Sequence, residues 1–131
     1  MCWSNTMAIP IVLKKPLIVY KVGKIKTLGI FISLYQNFRY YKSQIMPTVK
    51  ISPRFERRIS AIGYLWELWN YDCFYIYKGY HSYLTKEIAK SRSNKNNNIG
   101  VFEIPTGATI YVNYRRREVV STDIKYSRLL E

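Results

Sequence analysis

The chain has 131 residues, 48% of them hydrophobic and 16% aromatic, which suits a single domain (residues 1–131) with a buried core rather than two domains. Its formal net charge is +13, from 21 lysines and arginines against 8 acidic residues, and a surface of this sign attracts nucleic acid, anionic lipid or acidic protein. No apolar run reaches about 18 residues and no basic segment precedes an apolar core near the start, so neither a membrane span nor a secretion signal is expected.

The first part of the chain is predicted to form strands. An N-terminal segment, residues 1–15, precedes a β-branched run over 16–22 that begins with a proline and predicts a strand. Residues 28–33 predict a second strand that can pair with the first as a hairpin. The aromatic stretch 38–42 predicts a further short strand.

The middle of the chain carries two conflicting patterns. Five apolar residues recur at helical spacing: Ile59, Ile62, Leu65, Trp66 and Trp69. This spacing predicts an amphipathic helix over residues 57–70. The run that follows is so rich in aromatic residues that 73–77 is predicted as a strand.

A short helix is predicted over residues 85–90. Thr85 is a good N-cap residue, Glu87 lies in the first turn and Lys90 at the end, where each charge favours the helix dipole. The serine- and asparagine-rich stretch 91–98 then predicts a polar loop.

The C-terminal part is predicted to be a β-meander. Its strands are expected at 101–104, 109–112, 118–121 and 124–126. A turn with proline and glycine at 105–107 and a charged turn at 115–117 separate them. The fold class predicted for the whole chain is α+β: a mainly antiparallel sheet with one or two short helices.

The ordered set of short motifs resembles a group of small proteins from bacteriophages and mobile elements of gut Bacteroidetes. The motifs are the Tyr-Lys strand around Tyr20, the segment Gly-Tyr-His-Ser-Tyr ending at Tyr83, Ile-Pro-x-Gly-x-x-x-Tyr ending at Tyr111, and Val-Ser-x-x-Ile ending at Ile124. The group has no established function, so the resemblance implies a setting and no catalytic residue. That setting is the cytoplasm of a bacterial host, or the virion. Two cysteines, Cys2 and Cys73, without a C-x-x-C spacing also fit a reduced compartment and predict neither a zinc site nor a disulfide framework.

The single histidine is the sharpest candidate for a functional residue. His81 could act as a general base or ligand with Tyr83 or Ser82 beside it. A structural role, in which the imidazole bonds a backbone carbonyl and orders the turn after Gly79, is the interpretation that we favour, because spacing identifies no second titratable partner. Ser82 lacks the G-x-S-x-G pattern of a nucleophile elbow.

The basic residues are the candidates for binding. Residues 14–58 carry eleven lysines and arginines and one acid, and aromatic residues lie between them. Lys24, Lys26 and Arg39 could follow a nucleic-acid backbone while rings stack on bases; Lys14, Lys15 and Lys21 belong to the same basic region. Arg115, Arg116 and Arg117 could clamp a phosphate, although three adjacent arginines on a hairpin tip cannot all face one ligand.

An enzyme of the ADP-ribosyltransferase kind is a third hypothesis. It would use His81, Tyr83 and either Glu103 or Glu118, and it rests on analogy. The hypothesis that we favour is a non-enzymatic accessory protein without a cofactor or a metal. Its basic, tyrosine-rich surface would bind a host or phage protein, or nucleic acid. No membrane partner is expected, and the oligomeric state is left open.

Overall fold

The computed structural model describes residues 2–4, 9–27, 29–34, 38–62, 67–76 and 78–130, and residues 2–4, 55–62 and 67–75 by their backbone. Twelve strands and one short helix lie in these ranges. The elements are β1 (Cys2–Ser4), β2 (Ile11–Val12), β3 (Leu17–Thr27), β4 (Ile30–Ser33), β5 (Arg39–Tyr41), β6 (Arg54–Ile62), β7 (Glu67–Tyr75), β8 (Tyr80–Tyr83), α1 (Lys86–Ser91), β9 (Asn98–Ile104), β10 (Thr109–Asn113), β11 (Glu118–Ser121) and β12 (Lys125–Leu129). The named strand pairs are all antiparallel, so the predicted mainly antiparallel sheet is confirmed.

The larger sheet has the strand order β12-β9-β3-β8-β11-β10-β2, with β4 and β5 attached beside β3. The long strand β3 pairs with β9 from Leu17 to Gly23, and with β4 from Gly23 to Thr27. The predicted hairpin is therefore present as β3 and β4, and β5 is the short aromatic strand predicted after it. Residues 23–27, which separate the two predicted strands in the sequence, belong to β3 itself.

The helix predicted over residues 57–70 is wrong for 57–62 and 67–70, which are strands, while residues 63–66 lie outside the described residues. β6 and β7 form a hairpin there, with nine consecutive residue pairs from Arg54↔Tyr75 to Ile62↔Glu67, and β1 adds a third strand at Cys2↔Tyr75. Isoleucine and aromatic residues are common in strands, so their spacing at helical intervals does not by itself determine a helix. The nine consecutive pairs between β6 and β7 decide the structure here. The strand predicted over 73–77 is confirmed as far as Tyr75, while Tyr77 lies outside the described residues.

The helix predicted over 85–90 is confirmed as α1. The Thr85 hydroxyl accepts a hydrogen bond from the Ile88 amide at 3.3 Å, which satisfies one of the free N–H groups of the first turn. Ala89 is the buried residue of this helix, which packs against β3 and β8. α1 thus supplies the cover over one part of the sheet and places the chain after it beside β8.

The C-terminal strands lie where the sequence predicted them, but only β10 and β11 are consecutive neighbours. β12 returns to pair with β9 at Tyr126↔Phe102, and β11 pairs with β8 at Val120↔His81. The predicted meander is therefore limited to one hairpin. The other contacts join segments far apart in the chain.

The core between these strands contains a cluster of packed aromatic rings among aliphatic side chains. Phe31, Tyr40, Phe102 and Tyr126 are buried and their rings contact one another, with Phe31 and Phe102 edge to face at 5.3 Å between centroids. Edge-to-face packing of this kind favours the pairs beyond simple burial. The face of β3 that carries Val19 forms part of this core.

Candidate functional site

A cavity of about 390 Å³ lies where two strands diverge along one edge of β3. β9 occupies the other edge of β3, while this edge pairs with β8 at Tyr20 and with β4 from Gly23 onward. Lys21 and Val22 lie between the two pairings. The cavity fills the gap and is lined by Lys21, Val22, Ser33, Leu34, His81, Ser82, Tyr83, Arg92, Arg116 and Glu118.

Lys21 lies at the buried end of the cavity. Its side chain is 3% exposed, and Nζ donates a hydrogen bond to the carbonyl oxygen of His81. The same Nζ lies 5.2 Å from the centroid of the Tyr40 ring and 5.8 Å from that of Phe102. Burial lowers the pKa of Lys21 to about 7, so a large part of this amine is neutral at physiological pH.

Glu118 and Ser82 supply further buried polar atoms. Glu118 is 5% exposed and Ser82 is 4% exposed. Glu118 Oε1 lies 3.9 Å from Arg116 Nε, a long charge pair, while Glu118 Oε2 and Ser82 Oγ have no hydrogen-bond partner in the part of the chain that the structure describes. Such atoms are costly to bury, which is common where a fold prepares contacts for a ligand.

The charged groups of the cavity alter one another's titration. Burial raises the pKa of Glu118, and the charges of Arg116 and Arg92 oppose that shift. Burial, and after it the charge of Glu118, raises the pKa of Tyr83, again against the two arginines. Shifted pKa values that gather in a concave site are typical of binding and catalytic centres.

His81 lines this cavity rather than lying sealed under the C-terminal strands. It is 6% exposed, and its backbone carbonyl accepts the Lys21 hydrogen bond. Tyr83, the other member of the Gly-Tyr-His-Ser-Tyr motif in the binding prediction, lines the same cavity. The motif therefore contributes three consecutive residues to one wall.

No family model, curated protein or solved structure matches this chain. Evidence for its function consequently comes from the geometry of its own residues.

Of the two glutamates in the transferase hypothesis, the structure brings only Glu118 to His81 and Tyr83. Glu103 lies on β9 and pairs with Lys125 at 2.9 Å. Any chemistry that needs His81, Tyr83 and a carboxylate together would therefore use Glu118. The transferase hypothesis itself remains a prediction.

A basic face lies on β3, β4 and β5, on the side away from the aromatic core. Lys24 is directly opposite Ile32, and Ile32 is directly opposite Arg39, so the two cations flank one isoleucine in a single row across three strands. Tyr41 is two residues from Arg39, on the same side, and is 45% exposed. Lys26 is exposed beside this row, where the pairing of β3 with β4 shifts register between Ile25 and Thr27. We use "basic face" for Lys24, Arg39 and Tyr41.

The three adjacent arginines have different surroundings. All three are exposed in the turn between β10 and β11, but Arg116 alone lines the cavity and approaches Glu118. Arg117 has a positive φ of 54° and its carbonyl accepts from the Leu84 amide at 2.9 Å. Of the three, Arg116 is the one placed at the cavity, and the phosphate clamp remains a prediction.

Sequence reasoning placed Lys21 in the basic region as a surface lysine, and this is wrong because Lys21 is buried. The alternation of side chains along β3 could have indicated that Lys21 is buried. Lys21 lies on the same side of the strand as Leu17 and Val19, which face the core. Arg92, at the C-cap of α1, was not singled out at all. Its position beside Tyr83 follows from packing that no local pattern specifies.

The described residues contain neither a cluster of metal-binding side chains nor a helix that could span a membrane. No group of three histidine, cysteine or acidic side chains there could hold a metal ion. In the same ranges, no helix has the length and apolar character that a membrane crossing requires.

Proposed function

We propose that the protein binds single-stranded nucleic acid through its basic face. The observation that carries this proposal is the row Lys24–Ile32–Arg39, with the exposed ring of Tyr41 on the same side of the sheet. Cations of this kind neutralise phosphates, and an exposed ring can stack on an unpaired base.

The basic side chains of this face, and Lys26 beside it, are available for a ligand. Lys24, Lys26 and Arg39 are exposed, and none of them forms an ion pair with an acid in the described ranges, in contrast to Lys125 and Arg116. A net charge of +13 adds long-range attraction for a polyanion.

A single strand fits this face better than a duplex. Readers of duplex DNA insert a helix or a β-ribbon into the major groove. Helix α1 has only six residues, whereas β3, β4 and β5 present a sheet surface with a ring and cations. Sheets that carry exposed rings commonly take splayed-out bases.

The biological setting belongs to the same proposal. The resemblance to phage and mobile-element proteins supports an accessory protein that acts in a bacterial host, and single-stranded intermediates of replication or transcription would be its ligands there. Binding of a host or phage protein by the same face is the competing outcome.

Fluorescence anisotropy with a labelled single-stranded oligonucleotide tests the proposal. We expect micromolar or tighter binding at low salt. The double variant Lys24→Glu, Arg39→Glu should weaken binding by about tenfold or more, and the slope of log K against log salt should fall by about 0.7 for each contact removed. Tyr41→Ala should reduce affinity with little change in that slope.

The matched control carries the same charge change elsewhere. Lys86→Glu with Lys95→Glu alters two exposed lysines of α1 and the following loop, and it should weaken binding by much less than the basic-face variant. Equal losses in the two variants would mean that net charge alone attracts the strand. Absence of binding by the unaltered protein at low salt would refute the proposal, and a pull-down at that salt would then test for a protein partner.

A further inference from the structure

The cavity beside β3 has the features of a second site, separate from the basic face. Its exposed end carries Arg92 and Arg116, and its buried end carries Lys21, Ser82 and Glu118. It thus runs from solvent into the sheet. A volume of about 390 Å³ lies near the lower end of the range for small-molecule pockets, which suits a small metabolite better than a dinucleotide.

The charge of the lining favours an anion. Two arginines, Arg92 and Arg116, line the cavity with one acid, Glu118, which lies 3.9 Å from Arg116 and makes no closer ion pair in the described residues. Arginine guanidinium groups bind carboxylate and phosphate through paired hydrogen bonds. Arg92 and Arg116 are both exposed and both line the cavity, and the charge of each lowers the pKa of Glu118 and of Tyr83.

The buried end favours hydroxyl groups. Glu118 Oε2 can accept a hydrogen bond, and Ser82 Oγ can donate or accept one, yet neither has a partner among the described residues. Both side chains are more than nine-tenths buried. A ligand hydroxyl that reaches them would satisfy both atoms, whereas an apolar group would leave them without partners.

We propose that this cavity binds a small polyhydroxylated anion, a sugar phosphate or a sugar acid. Its phosphate or carboxylate lies between Arg92 and Arg116, and its hydroxyl groups reach Ser82 and Glu118. Lys21 closes the buried end, held by the His81 carbonyl.

Isothermal titration of the full chain tests this site with ribose 5-phosphate, gluconate, inorganic phosphate and neutral ribose. We expect saturable binding of ribose 5-phosphate or gluconate, and the stronger of the two identifies phosphate or carboxylate as the anionic group. Neutral ribose and inorganic phosphate should each bind about tenfold or more weakly, because each lacks half of the contacts.

The arginine turn supplies a matched pair of variants. Arg116→Gln should weaken binding of the preferred ligand by about tenfold or more, while Arg115→Gln, in the same exposed turn but outside the cavity lining, should change it by less than about twofold. Both side chains are at the surface, so neither substitution should unfold the protein. Circular dichroism of the variants verifies this. The Glu118→Gln variant should show a smaller difference in affinity between ribose 5-phosphate and inorganic phosphate.

Three results would overturn the proposal: no saturable binding of either sugar anion, equal affinity for neutral ribose, or equal losses in the Arg116 and Arg115 variants. The site stands independently of nucleic-acid binding. The Lys24→Glu, Arg39→Glu protein should bind the sugar anion as the unaltered protein does, since neither residue lines the cavity.

Discussion

Lys21 is the residue at which local sequence and tertiary structure disagree most clearly. Composition marks it as one of many surface lysines, but strand alternation puts it on the core side of β3, against the rings of Tyr40 and Phe102. The core-facing position of Lys21 can be anticipated from the alternation of side chains along a strand. Its hydrogen-bond acceptor, the carbonyl of His81, lies 60 residues away and cannot be anticipated from the sequence.

The buried amine should make folding depend on pH. Its pKa is about 7 in the folded protein and 10.5 when exposed, so the unfolded chain binds more protons in between. The free energy of unfolding should therefore rise with pH in that window, by roughly 2 kcal/mol between pH 7 and 9. Burial raises the pKa of Tyr80 above its ordinary value of 10.0, so this tyrosine contributes at higher pH than the window of Lys21.

Urea unfolding of the Lys21→Met variant at several pH values between 7 and 9 measures this contribution. The variant should lose the rise, because the titrating group is gone, whereas the control Lys24→Met, at an exposed site, should keep it. A Lys21→Met protein whose stability still climbs as steeply as that of the unaltered chain would contradict the burial of this amine.

At the scale of elements, the sequence predicts what is decided locally. Thr85 and Glu87 define the start of α1, and the Pro-x-Gly turn separates β9 from β10, because caps and turns depend on neighbours in the chain. The hairpin of β6 and β7 was missed because its apolar residues satisfy two periodicities. The partnership of β3 with β9 across about eighty residues depends on packing, which no local pattern carries.

The junction of β3 with β4 depends on two glycines under the ring of Phe31. A Cβ at Gly23 would lie 2.1 Å from the Ile32 carbonyl oxygen, and a Cβ at Gly100 would lie 3.0 Å from Phe31 and 2.7 Å from Phe102. The first neighbour is backbone, which cannot move without breaking the hairpin. The other neighbours are ring atoms, which can shift at some cost.

The two glycines should therefore differ in tolerance. Gly23→Ala should lower the free energy of unfolding by about 3 kcal/mol or more, and Gly100→Ala by about 1–3 kcal/mol. Gly107→Ala serves as the control, because no atom lies within 4 Å of its Cβ position and only its φ of +88° opposes the substitution, at about 1 kcal/mol. Urea unfolding gives the order, and a Gly23→Ala protein as stable as the control would contradict the close approach of β3 and β4.

At the scale of the whole molecule, β3 connects the two proposed sites. It contributes Lys24 to the basic face and Lys21 and Val22 to the cavity. Net charge alone predicts attraction for a polyanion, so that part of the function can be read from composition. The cavity could not be predicted from composition, because its walls come from separate parts of the chain. They are β3, the end of β4, β8, the C-cap of α1 and the β10–β11 hairpin.

The large positive charge should also give stability and nucleic-acid binding opposite responses to salt. Self-repulsion among the cations weakens the folded state, and added NaCl screens it, so the melting temperature should rise by about 3–6 °C for each 1 kcal/mol relieved. Oligonucleotide affinity should fall over the same range because release of the condensed counterions into a more concentrated salt solution gains less free energy. The Lys86→Glu, Lys95→Glu variant lowers the net charge by four and should show a smaller rise in melting temperature, measured by circular dichroism at two NaCl concentrations. If the variant and the unaltered chain gave the same rise, specific ion binding rather than overall repulsion would govern the response of the fold to salt.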